Sequence, residues 1–314
     1  MAESVTRLIG DIGGTHARFA LCGPGGPPRE ERKLMVAEHA GLVEAAAEYL
    51  QGRRVEEAVF AVATPVLGDE IAFTNSPWRF SIQAAEAALA VDRLVIINDF
   101  VAQASAVPLL RGDDLAPLKD GTGREDAPRL VIGPGTGLGV AFLIDQGGRP
   151  RVLPSEGGHA SFAPQDAEQD ALLRHLRQRH GGHVSAERLV SGPGLLAVAQ
   201  YLAAQAGEGA PRFADPHDVS AGAGRGCPVS LRAVSLFSEL LGGVMGNLAL
   251  SLLAEGGVYL TGGLARAMRP LLDREALMRG FTGKGRFAPL LERIPITQVV
   301  RPHTGLLGAA AYHL

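Results

Sequence analysis

Apolar positions along this chain follow two scripts. Short continuous runs at 58–63, 94–97, 257–261 and 296–300 read as buried strands. Elsewhere the spacing is helical: Leu42, Ala45, Ala46, Tyr49 and Leu50 share one face of a helix expected over 40–51. Further helices are expected over 100–106, stopped by Pro108, over 167–177, over 192–206 behind Gly192-Pro193-Gly194, over 231–253 and over 306–313. The stretch 111–128, rich in Asp, Gly and Pro, reads as a linker or crossover, and 207–228 as an exposed loop. Strands that alternate with helices predict an α/β protein.

Two apolar hairpins with glycine tips punctuate this pattern. The first reads Gly10-Asp11-Ile12-Gly13-Gly14-Thr15, the second Gly133-Pro134-Gly135-Thr136-Gly137. Each is flanked on both sides by apolar runs, so each reads as a β-hairpin. Glycine lets backbone N–H groups come close to a phosphate, and the threonine hydroxyl adds a hydrogen bond. One Gly-Gly-Thr hairpin is also an ordinary tight turn. Two of them, one per half of the chain, suit a polyphosphate gripped from both sides. Asp11 ends the first strand, where a carboxylate is poorly placed for core packing and well placed to hold hydrated Mg²⁺ against phosphates. Neither tip matches the P-loop pattern, which requires Gly-Lys-Ser/Thr at a fixed spacing. Neither turn leads directly into a helix, as the dinucleotide-binding fingerprint does.

Composition narrows the class. The 314 residues suffice for two domains, and a net charge of −3 without any basic run argues against nucleic acid. The apolar stretches are interrupted before they could span a bilayer, and Met1-Ala2-Glu3-Ser4 does not open a signal peptide. With only Cys22 and Cys227 there is no disulfide framework, which fits a reducing cytoplasm.

Polar groups at the ends of predicted strands complete the candidate chemistry. Asn98-Asp99 follows Leu94-Val95-Ile96-Ile97, and ligands of open α/β sheets gather at the carboxyl ends of strands. Asp99 there can take a proton from a hydroxyl, or it can simply cap the next helix. Glu156 and His159 flank Gly157-Gly158, and Glu187 lies in Ser185-Ala186-Glu187. No Cys/His cluster surrounds His159, which argues against zinc. Together Asn98, Asp99, Glu156, His159 and Glu187 suit a polyhydroxylated ligand. Gly262-Gly263, after a strand, suits a base and ribose lying against backbone, or an ordinary turn.

These segments, in this order, resemble the bacterial glucokinase family of the non-ROK type, within the hexokinase–actin–Hsp70 ATPase superfamily. The resemblance also runs through Thr74-Asn75-Ser76-Pro77-Trp78, His183-Val184-Ser185-Ala186-Glu187-Arg188, Ser191-Gly192-Pro193-Gly194, Lys284-Gly285-Arg286-Phe287 and Gly305-Leu306-Leu307-Gly308. It implies two ribonuclease-H-like (actin-like ATPase) domains flanking a cleft, a smaller one over 1–110 joined by the C-terminal helix at 301–314, and a larger one over 111–300. It implies phosphorylation of D-glucose by ATP with Mg²⁺. Asp99 would be the general base, and Asn98, Glu156, His159 and Glu187 would bind the sugar hydroxyls. Asp11 would position Mg²⁺ through water. Gly13, Gly14, Thr15, Gly135, Thr136 and Gly137 would bind phosphates, and Gly262 and Gly263 would border adenosine. It implies a cytoplasmic enzyme, a homodimer, with neither nucleic acid nor membrane as partner. Trp78 would lie at the sugar side of the cleft and change exposure on glucose binding. The chain departs from the family at His16, where relatives often carry Asn, and at Ser155, where they often carry Gly. No role is implied for Lys284–Phe287. A kinase for another hexose or another phosphoryl donor, and a non-enzymatic ATPase-fold regulator, are the alternatives.

Overall fold

Strands and helices alternate along the computed structural model, which describes residues 6–23, 26–73 and 76–313. The Met1–Ser4 segment, which does not read as a signal peptide, lies outside the described residues, as do Thr74 and Asn75. In chain order the first elements are β1 (Arg7–Ile12), β2 (His16–Cys22), β3 (Arg29–Met35), α1 (Leu42–Leu50), β4 (Glu57–Val62), β5 (Glu70–Ala72), β6 (Arg79–Ser81), α2 (Ile82–Leu89), β7 (Arg93–Asn98) and α3 (Asp99–Ala106). Then come β8 (Leu115–Lys119), β9 (Arg129–Pro134), β10 (Leu138–Asp145), β11 (Pro150–Ser155), α4 (Ala167–His180), α5 (Gly192–Ala206), α6 (Pro216–Gly224) and α7 (Pro228–Ser251). The chain closes with β12 (Val258–Leu260), α8 (Gly263–Met268), α9 (Arg274–Thr282), α10 (Ala288–Arg293), β13 (Ile296–Val299) and α11 (Thr304–Ala311).

Two compact units result. The first comprises Met1–Arg111, Pro150–Pro154 and Arg301–Leu314, the second Gly112–Arg149 and Ser155–Val300. In the first, a sheet runs β3-β2-β1-β4-β7, with β1, β4 and β7 parallel and the β1–β2 and β2–β3 pairs antiparallel. Alternation along each strand separates two cores. Leu8, Ile12, Phe19 and Phe60 pack with α1, while Ile9, Ala20, Val59 and Ala61 pack with Val101 and Ala102 of α3 and Leu306 and Ala309 of α11. A Cβ on Gly308 would overlap the Ala102 carbonyl oxygen, so α3 and α11 touch backbone to backbone. Arg7, almost fully buried, pairs with Glu57 at 2.7 Å and donates to the Tyr312 carbonyl at 3.0 Å, tying the C-terminus to the sheet.

In the second unit the strands run β10-β9-β12-β13-β8. β9, β12 and β13 are parallel, and β8 is antiparallel at the edge. Helices α7 and α9 meet at glycines: a Cβ on Gly242 or Gly280 would overlap the Leu277 or Glu239 carbonyl oxygen. Lys284, in a motif to which the sequence assigns no role, donates to the Gly243 carbonyl at 3.0 Å. Burial pushes its amine down to about 8.

Several local expectations are corrected. The stretch 111–128 contains β8, whose Pro117 is tolerated because the strand lies at an edge. The stretch 207–228 contains α6, opened by a capping box between Asp215 and Asp218. β3 is mostly charged and exposed, as an edge strand protected from mispairing should be. α7, 24 residues long with an 18-residue stretch of mean hydropathy 1.4, is long and apolar enough to cross a membrane, contrary to the reading of the apolar stretches. That stretch is 72% buried inside the protein, so its apolar surface serves the core. Trp78, expected to change exposure on glucose binding, is buried here. Its ring is 2% exposed, stands edge-on to Phe73 and donates to the His39 carbonyl at 3.1 Å.

Candidate functional site

In the first unit, chemistry gathers at the carboxyl ends of adjacent parallel strands. Register places Asp11 beside Ala61, Ala61 beside Ile97, and Val62 beside Asn98. The chain leaves β7 at Asn98 and turns directly into α3. Asn98, not Asp99, is the N-cap: its side-chain oxygen accepts from the Phe100 N–H at 2.9 Å. Its amide nitrogen donates to the Thr64 carbonyl at 3.4 Å. Asp99 is the first helical residue, and its Oδ1 shares the Phe100 N–H at 2.9 Å. Burial first, and the charge of Asp11 second, push the Asp99 carboxyl up to about 7. A carboxyl so poised can exchange a proton near neutrality.

Asp11 lies against the start of α11. A Cβ on Gly305 would stand 2.8 Å from both the Asp11 carboxyl carbon and Oδ2. The absence of a side chain at Gly305 is therefore what makes room for the carboxylate. The positive end of α11 favours its charge. The adjoining hairpin turns through Gly13, Gly14 and Thr15 and is closed by Gly13 N–H donating to the His16 carbonyl at 2.9 Å. Thr15 at the tip is exposed. Among the described residues no three His, Cys, Asp or Glu side chains group to cage a metal.

In the second unit, β9 and β10 join through Gly135, Thr136 and Gly137, and the Gly135 N–H bonds the Gly137 carbonyl at 2.8 Å. Gly192, the first residue of α5, donates to the Gly135 carbonyl at 2.8 Å. The turn thus sits at the N-terminus of a 15-residue helix, capped by Ser191, where anions are favoured. In the sequence Gly192 marks only a helix start. Gly262 follows β12 with φ +96°, and its Cβ would lie 3.0 Å from the Pro134 carbonyl, so both conformation and space demand glycine. Gly263 opens α8, with nothing within 4 Å of its Cβ position.

The same unit collects Glu156, His159 and Glu187. Ser155 Oγ accepts from the Gly157 N–H at 3.1 Å and so starts the tight turn Gly157–His159. Ser155, the expected departure from the family, thus serves this turn locally. Gly158 presses on β10, where a Cβ would overlap the Leu138 carbonyl oxygen. His159 Nε2 stands 3.6 Å from Glu156 Oε2 and 3.9 Å from Glu187 Oε2. Glu187 Oε2 accepts from the Leu138 N–H at 3.1 Å. Two separate segments thereby bring three side chains into one polar cluster able to donate and accept several directed hydrogen bonds.

The family model Glucokinase matches residues 8–314. The glucokinase of Aromatoleum aromaticum is 42% identical over 318 residues, covering 98% of this chain and 95% of that protein. The solved glucokinase from an Antarctic psychrotroph superposes with a TM-score of 0.85 at 33% identity, covering 98% of each chain. The glucokinase of Balamuthia mandrillaris, solved in complex with glucose, superposes at 0.83 with 22% identity, covering 99% of this chain and 94% of that one, a likeness of fold.

Proposed function

This chain belongs to the glucokinase family, with its two actin-like ATPase domains, and from that premise we propose that Asp99 is the general base of an ATP-dependent phosphorylation of D-glucose at its 6-hydroxyl. The observation that carries the proposal is the Asp99 carboxyl, set where strand β7 becomes helix α3 and held near neutrality by burial and Asp11. In the step, Asp99 takes the hydroxyl proton, the sugar oxygen bonds the γ-phosphorus, and the bond to the β,γ-bridging oxygen breaks, releasing ADP. Asn98, which also caps α3, and Glu156, His159 and Glu187 hold the other hydroxyls. The turns at Gly13–Thr15 and Gly135–Gly137 take the phosphates, the second aided by the N-terminus of α5. Gly262 and Gly263 border the adenosine.

The cradle at Gly305 fits Asp11 as a single carboxylate reaching Mg²⁺ through water. Mg²⁺ held there with ATP would neutralise phosphate charge. We place the enzyme in the cytoplasm, as a homodimer.

Two experiments test this reading. Sugar phosphate formation, measured over a panel of hexoses with ATP, ADP or polyphosphate as donor, should be largest with glucose and ATP. A preference for another hexose or donor would displace the assignment. Gly135→Val tests the second turn. Nothing stands within 4 Å of a Cβ there, so the variant should fold. Its branched side chain would fill the space over the turn, raising the KM for ATP while leaving glucose binding near wild type. Unchanged ATP kinetics would remove this turn from phosphate binding.

A further inference from the structure

We infer that Gly137 is a positioning residue for the sugar: its missing side chain seats the Glu187 carboxylate, so that the second glycine turn serves sugar binding as well as phosphate. A Cβ on Gly137 would stand 2.5 Å from Glu187 Oε2 and 3.3 Å from its carboxyl carbon. The φ of Gly137 is not left-handed, so the demand for glycine here is one of space rather than backbone freedom. The next N–H along the turn, that of Leu138, is given to the same Oε2 at 3.1 Å. The turn therefore spends one backbone donor and one side-chain vacancy on a carboxylate 49 residues away.

Leu138 is the node of the arrangement. Its N–H holds Glu187, while its carbonyl oxygen is what excludes a side chain from Gly158, in the turn that carries Glu156 and His159. The segments bearing Glu187 and His159 are joined again by Ala186 N–H donating to the Ala160 carbonyl at 2.9 Å. A displacement of the turn thus reaches all three side chains. The obstructing atom is the far end of a glutamate, which can swing aside. Gly137→Ala should accordingly preserve the fold and misplace the carboxylate.

The inference rests on the reading of Glu187 as a sugar ligand, and a double-mutant cycle separates the two. Glucose affinity is measured by calorimetry, without nucleotide, for the wild type, Gly137→Ala, Glu187→Ala and the double variant. Loss of a hydrogen bond to a charged group weakens binding by about ten- to a hundredfold. Each single variant should show a loss of that size, and the double variant should be no worse than Glu187→Ala. Glu187→Asp, whose shorter side chain clears the added methyl, should recover part of the affinity in the Gly137→Ala background. If Glu187→Ala binds glucose normally, the sugar-ligand reading fails. If Glu187→Ala is impaired but Gly137→Ala is not, or if their losses add, the seating of Glu187 by Gly137 is overturned. Failure of Glu187→Asp to recover affinity in a folded variant also counts against it.

Discussion

Asp99→Asn should abolish nearly all turnover and at the same time raise the thermal stability of the ligand-free protein at pH 8. The amide keeps the shape of the carboxyl and can still accept from the Phe100 N–H, but it cannot take a proton from the sugar. Loss of a general base costs about 10²–10⁴-fold in rate. The stability gain has a definite sign. Asp99 is raised from 3.8 to about 7 in the folded protein. Between those values the native state holds a proton that the unfolded chain releases, so stability falls as pH rises through the window. Above about 7 the wild type carries an ionised carboxylate that burial and Asp11 disfavour, and asparagine removes it. The melting-temperature difference between variant and wild type should therefore be largest at pH 8 and shrink toward pH 4. The same carboxyl sets an acid limb in kcat/KM for glucose, rising with pH through about 7. Turnover within a few-fold of wild type, or no gain in melting temperature at pH 8, would return Asp99 to a purely local role in α3.

Gly305→Ala should damage ATP use far more than glucose binding. The added methyl would meet the Asp11 carboxyl carbon and Oδ2 at 2.8 Å and Oδ1 at 3.1 Å, so the carboxylate must move. Gly305 has no left-handed φ, and alanine is compatible with a helix start, so the backbone can tolerate the change. A misplacement of about 1 Å in a positioning group costs on the order of 10²-fold. The expected result is a fall of about that size in kcat/KM for ATP and weaker binding of Mg·ADP by calorimetry. Glucose affinity should stay near that of the wild type. Unchanged Mg·ADP affinity in a folded variant would show that the Asp11 carboxylate does not organise the phosphates. Gly308, one turn later, is a control of a different kind. Its Cβ would overlap the Ala102 backbone, so Gly308→Ala should loosen the α3–α11 contact and lower the melting temperature.

Local signals in the sequence are enough to reveal α/β alternation, both glycine hairpins and the residues assigned to the site. A continuous apolar run followed by a turn residue marks the end of a buried strand wherever it occurs, so Asp11 and Asn98-Asp99 declare their place without any partner in view. Helices with strong caps or an apolar face, such as α1, α5 and α7, are legible for the same reason. Elements whose pattern is set by a distant neighbour are not. β3 hides because an edge strand is free to be charged, and β8 hides in a Pro-containing stretch because its partner is β13, far along the chain. Trp78 looks like a loop residue, yet a core made by α1 and β4 buries it.

The roles of the glycines divide in the same way. That Gly262 needs glycine follows from φ, a property of its own backbone, although the nearby Pro134 carbonyl adds to it. That Gly137 and Gly305 need glycine follows only from the carboxylates of Glu187 and Asp11, which the chain brings against them from far along the sequence. Residue type and order alone determine which groups can accept a proton, bind a hydroxyl or approach a phosphate. Tertiary structure alone decides how each carboxylate is seated and how far burial and a neighbouring charge move Asp99, because excluded volume and desolvation depend on which atoms come within a few ångströms.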